Sequence, residues 1–116
     1  MPYIFPEIAT PEDVCFDVKL TTKTWASEIS WTIGSCSSDR AYRNRRVYTK
    51  NCCIPSGDHE LICKDSYGDG WNGGFIEIDG VTYCKTFRSG RESRASVTIG
   101  APGFINDKRY ILYFEI

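Results

Sequence analysis

"FIEIDGVTYCKTF", residues 75–87, holds the reading that decides the fold. Two β-rich runs flank Asp79-Gly80, and Asp-Gly suits a two-residue type I′ hairpin, whose central residues both need positive φ. Counting back from that turn sets Ile78 opposite Val81 and Phe75 opposite Cys84. Further out, "VCFDVKL" (14–20) alternates Val14, Phe16, Val18 and Leu20 with Cys15, Asp17 and Lys19. "EISWTIG" (28–34) sets Ile29, Trp31 and Ile33 against Glu28, Ser30 and Thr32. A period of two marks half-buried strands. These two segments are read as antiparallel neighbours joined across Thr22 to Ala26. "DHELICK" (58–64), "SRASVTIG" (93–100) and "RYILYFEI" (109–116) complete the extended segments. Residues 35–57, with an Asn-Cys-Cys and a Pro-Ser-Gly turn signal, read as the least regular part, pairing briefly over "RRVYTK" (45–50).

No window carries the i, i+3, i+4, i+7 apolar spacing of an amphipathic helix. The expectation is an all-β chain: an antiparallel β-sandwich of about eight strands. The 116 residues suit one domain, placed at 14–116. Residues 1–13 hold three of the five prolines and read as an extended arm. Lys plus Arg number 14 and Asp plus Glu 15, so no long-range field draws the chain to nucleic acid. No apolar run approaches the roughly 18 residues of a membrane span, so membrane insertion is not expected. "MPYIFPEIATPEDV" has neither the basic nor the apolar region of a signal peptide, so either Met1 starts an excised or mature fragment, the preferred reading, or the cysteines mature by an unusual route, as in proteins packaged on a virus surface.

Cys15, Cys36, Cys52, Cys53, Cys63 and Cys84 are an even set in a small chain, which favours a disulfide framework and an oxidising, extracellular setting. Zinc would need paired CxxC or Cys/His spacing, and only the vicinal Cys52-Cys53 and a lone His59 are offered. Fifteen pairings are open. Cys63 with Cys84 is preferred, because both are placed on strands flanking the segment considered next.

In "CKDSYGDGWNGG", residues 63–74, oxygen donors are interleaved with glycines. Calcium takes six to eight oxygens, and a short loop supplies several only if it turns sharply between them. In an EF-hand register Asp65 stands at position one, Asp69 at five, Gly70 at the sharp turn, and Trp71 offers its carbonyl at seven. Tyr67 at three and Ile76 at twelve break that pattern, and no helices flank it. Further oxygens would come from Asn72, or from Glu28, Glu60 or Asp58 on neighbouring loops. The expected Ca2+ ligands are therefore Asp65, Asp69, Trp71 and Asn72. The competing reading is a metal-free Asx-turn scaffold.

The string "DSYGDGWNGG" after a cysteine, with "TTKTWASEISWTIG" upstream, resembles a motif of secreted or surface-displayed β-rich modules. The likeness spans about residues 15–84. Size, cysteines and strand number are also similar to jelly-roll and CUB-like extracellular sandwiches. The resemblance implies a non-enzymatic recognition, adhesion or structural unit.

His59 has no nucleophile-elbow motif to serve, and Asp65, Asp69 and Glu77 would need a cleft to act as a glycosidase pair. Catalysis is not expected. Arg43 and Arg45, in the basic and aromatic stretch "DRAYRNRRVYTK" (39–50), are candidate contacts for an anionic glycan, and Tyr67 and Trp71 for stacking on a sugar. The chain is thus read as a calcium-binding adhesion or carbohydrate-binding module meeting a glycan or protein at a cell, matrix or virion surface. The alternative is a self-assembling structural subunit of a coat, matrix or virion.

Overall fold

The computed structural model describes residues 12–39 and 41–100. Eight strands run β1 (Asp13–Thr21), β2 (Ile29–Ile33), β3 (Cys36–Ser37), β4 (Val47–Pro55), β5 (Gly57–Asp65), β6 (Phe75–Ile78), β7 (Val81–Tyr83) and β8 (Glu92–Ile99). They form two four-stranded antiparallel sheets, β4-β1-β6-β7 and β3-β2-β5-β8. This is the expected all-β sandwich. Most of the arm at 1–13 and the whole segment 109–116 lie outside the described residues.

Alternation builds the core. Phe16, Val18 and Leu20 of β1 face Ile29, Trp31 and Ile33 of β2, Leu61 and Cys63 of β5, and Val97 and Ile99 of β8, all buried. Each large apolar side chain removed from water contributes about 1.5–3 kcal/mol, so these rows hold the sheets face to face. Trp31 keeps its polar edge satisfied by donating Nε1–H to Tyr42 Oη at 3.1 Å. The Asp79-Gly80 turn has φ of 50° and 79°, as a type I′ hairpin needs, and Ile78 does pair with Val81.

Two expectations are corrected. β1 and β2 are not neighbours: β1 pairs β4 and β6, whereas β2 pairs β3 and β5 in the opposite sheet. Two strands linked by a short connection with apolar inner faces can bury them against each other across the sandwich as well as side by side. Residues 47–55 are also not irregular, since β4 pairs all nine residues of β1, from Thr21↔Val47 to Asp13↔Pro55.

The vicinal cysteines sit inside β4 and point to opposite faces. Cys53 faces outward and bonds Cys15 across the β1–β4 ladder, with Cα atoms 4.0 Å apart. Cys52 faces inward and bonds Cys36 of the other sheet. Cys63 bonds Cys84, as preferred from the sequence, and ties β5 to the segment after β7. One bridge therefore joins strands of the two sheets, a second ties β5 to the segment that follows β7, and no cysteine is free. Three disulfides fit an oxidising environment. No helix among the described residues is long and apolar enough to cross a membrane.

Candidate metal centre

Pairing of β2 with β5 ends at Ile29↔Asp65, and just beyond it Ser66 N–H donates to the Glu28 carbonyl at 3.0 Å. Glu28 and Asp65, remote in sequence, thus meet at one end of the sandwich. Asp65 then folds the chain that follows. Its Oδ1 accepts Tyr67 N–H at 3.3 Å, and its Oδ2 accepts Gly68 N–H at 2.9 Å and Asp69 N–H at 2.6 Å. This Asx-type turn brings Asp69 back beside its own start. Trp71 N–H donates to Phe87 O at 2.9 Å, and Gly90 N–H to Gly68 O at 2.9 Å, so the 87–90 segment braces the loop. Gly70 has φ of 80°, and a side chain there would run into the backbone of Phe87 and Arg88. Only glycine permits that approach.

One carboxylate oxygen each from Glu28, Asp65 and Asp69 lie within 4.8 Å of one another. Two oxygens on one calcium, each at about 2.4 Å, are at most about 5 Å apart, so the three can share an ion. Glu28 Oε1, Asp69 Oδ1 and Asn72 Nδ2 are shut from solvent with no hydrogen-bond partner. Groups buried in that way carry a desolvation cost without compensation. Turning the Asn72 amide by half a turn would present its Oδ1 instead of its nitrogen.

The electrostatics are those of crowded anions. Burial, then the charges of Asp65 and Asp69, push the Glu28 carboxyl above its ordinary 4.5. Asp69 is raised by its side-chain hydrogen bond with Asp65, then by burial and the Asp65 charge. Burial of Asp65 would raise it too, but hydrogen bonds from the Asp69 side chain and from the amides of Asp69, Tyr67 and Gly68 outweigh this and lower it. A proton shared by the two aspartates therefore resides on Asp69.

Of the expected ligands, Asp65 and Asp69 converge and Asn72 lies beside them, lining a pocket with Asp69, Gly73, Lys85 and Arg88. Trp71 does not play the stacking part. Its side chain is 1% exposed, packs with Phe87, and donates Nε1–H to Lys64 O at 2.8 Å, while its carbonyl accepts Gly74 N–H. Tyr67 is 71% exposed. Glu60 and Asp58 are engaged elsewhere, Glu60 with Arg94 and Asp58 with Thr98.

Arg43 and Arg45 are exposed but line separate pockets, Arg43 with Tyr42, Tyr48 and Lys50, and Arg45 with Lys23 and Arg46. The aromatics expected to interleave with them are partly structural: Tyr42 is buried, and its ring lies 4.7 Å from that of Tyr48. His59 contacts the Pro55 carbonyl at 2.6 Å. Sequence reasoning missed Trp25, 61% exposed, which lines a cavity with Glu28, Tyr67 and Asp69. No local pattern distinguished it. The chain matches no protein-family model, and neither curated proteins nor solved structures show a match to it.

Proposed function

We propose that the protein is a non-enzymatic extracellular or surface-displayed recognition module, used in binding or adhesion, whose 65–73 loop is ordered by a calcium ion. The observation that carries this reading is the convergence of Glu28, Asp65 and Asp69, with carboxylate oxygens of Glu28 and Asp69 buried and unpartnered. Three like charges in one pocket repel, and a divalent cation converts that repulsion into attraction. An oxygen-only donor set on a glycine-hinged loop suits calcium. Zinc prefers thiolate or imidazole, and every cysteine here is in a disulfide.

Under this reading Glu28, Asp65 and Asp69 hold the ion, Asn72 adds an amide oxygen, and remaining positions go to water or to a partner. Binding rather than catalysis is supported by His59, which is engaged with a backbone carbonyl rather than with a nucleophile or a base. Thermal melting in calcium and in chelator tests the proposal, with calorimetric titration of the ion as the direct measure. Calcium is expected to raise the melting temperature, and identical melts in calcium and chelator would sink it.

A further inference from the structure

Trp25 and Tyr67 are two of the largest exposed apolar side chains, 61% and 71% exposed, and they line the same cavity of about 260 Å³. The other two lining residues are Glu28 and Asp69. Trp25 has φ of 58° and ψ of 34°, where a bulky residue is rare and glycine would sit without strain. The chain is held there on both sides: Trp25 O accepts Glu28 N–H at 3.1 Å, and Ala26 N–H donates to Asn44 Oδ1 at 2.9 Å. The indole, rather than the backbone shape, is what this position supplies. The cavity therefore offers two aromatic side chains and two carboxylate acceptors in one lining.

We propose that the cavity between Trp25 and Tyr67 is a binding subsite for one pyranose ring. The ring's C–H face stacks on the aromatic side chains, and its hydroxyls donate to Glu28 and Asp69 or complete the coordination of the bound ion. A cavity of this size falls below the roughly 300–1,000 Å³ of a drug-sized cleft, so it takes one sugar unit, with the rest of a glycan outside. A lysine or arginine side chain would also satisfy aromatics and carboxylates. It needs the same negative charge that calcium neutralises, however, so the ion favours the uncharged polyol. The inference rests on the calcium reading and names the ligand class of that site.

The test uses a glycan array of neutral and acidic pyranosides, probed with the full chain in calcium, alongside Trp25→Ala and Tyr67→Ala. Neither residue is placed as an ion ligand, so both variants should keep the calcium-induced rise in melting temperature. The wild type is expected to bind at least one pyranoside, and each variant to bind it at least tenfold more weakly. Because Trp31 and Trp71 are each 1% exposed, acrylamide quenching reports chiefly on Trp25, and the bound pyranoside should protect it. A wild-type calcium response with no array binding, or binding that survives both substitutions, overturns the subsite and leaves the calcium reading intact. Absence of any calcium response overturns both. Binding of a lysine-rich peptide that strengthens in chelator and is lost in Trp25→Ala overturns the sugar in favour of a cationic protein partner.

Discussion

Replacing Glu28 with Gln should separate the metal from the fold, because the two effects of that change have opposite signs. On the proposed reading, calcium at one hundred times its dissociation constant would stabilise the folded chain by about 2.7 kcal/mol. One kcal/mol moves the melting temperature of a domain of 60–100 residues by roughly 4–8 °C, so the wild-type rise is on the order of 10–20 °C. Losing a supporting contact behind a ligand commonly costs 10–100-fold in metal affinity, and a direct carboxylate ligand should cost about a hundredfold. At the same calcium concentration the variant then sits near its own dissociation constant. Its stabilisation falls to about 0.4 kcal/mol, a rise of roughly 2–3 °C. In chelator the order reverses. Glu28 makes no side-chain hydrogen bond among the described residues, Gln has nearly the same shape, and the repulsion from Asp65 and Asp69 is gone. Glu28→Gln should therefore melt no lower than the wild type in chelator, and far lower in calcium. Differential scanning calorimetry of both proteins in both buffers gives the four numbers. A variant that retains the full calcium increment, or that is markedly weaker in chelator, would refute the reasoning.

Three further outcomes follow from the same geometry. In chelator the raised carboxyls of Glu28 and Asp69 hold protons more tightly folded than unfolded, so their burden is greatest at neutral pH and lifts as pH falls through the raised values toward 4.5 and 3.8. Protons would also compete with the proposed ion for those carboxylates, so the gap between calcium and chelator melts should narrow as pH falls from neutrality through the raised values, as melts across that range will show. Gly70→Ala, whose Cβ would lie 2.7 Å from Arg88 Cα at φ of 80°, should cost about 3 kcal/mol or more by urea unfolding. Gly80→Ala, at φ of 79° with nothing within 4 Å, should cost only about 1–2 kcal/mol. Replacing Cys63 and Cys84 together by Ala opens a ring of sequence separation 21, a loss of about 3.4 kcal/mol on the chain-entropy account, and frees the 65–73 loop inside that ring. Calcium affinity, read by calorimetry, should fall with it.

The inner faces of the strands were legible in the sequence because period-two alternation is a local property. Phe16, Val18 and Leu20, and likewise Ile29, Trp31 and Ile33, are buried as their spacing implies. The Asp79-Gly80 turn was legible for the same reason, since the need for positive φ belongs to two adjacent residues. Partner choice was not. Alternation says which side of a strand is apolar and nothing about which strand lies beside it, so it does not reveal that β1 and β2 face each other from separate sheets. β4 was hidden by its own chemistry. Asn51-Cys52-Cys53 reads as a turn by composition, yet adjacent cysteines in a strand necessarily point to opposite faces, one able to cross-link a neighbouring strand and the other the opposite sheet. Cys53–Cys15 and Cys52–Cys36 are those two links.

Half of the candidate centre was written locally and half was not. Asp65, Asp69 and Gly70 announced themselves as oxygen donors beside a sharp turn, whereas Glu28 was one of several acids that the sequence could not rank. The β2–β5 register ranks them. Ile29↔Asp65, Trp31↔Cys63 and Ile33↔Leu61 are opposed, and all six side chains are buried, so Asp65 occupies the last inward position of the row that carries the core. That explains why a carboxylate is 1% exposed and why it bonds so many loop amides: at the end of an apolar row it has little water to turn to. A one-residue slip of this ladder would turn Trp31 outward and carry Glu28 away from Asp65 in the same step. The register that packs the tryptophan is therefore also the one that gathers the carboxylates. A change to the ladder would undo both, whereas neutralising one carboxylate would leave the packing of the row in place.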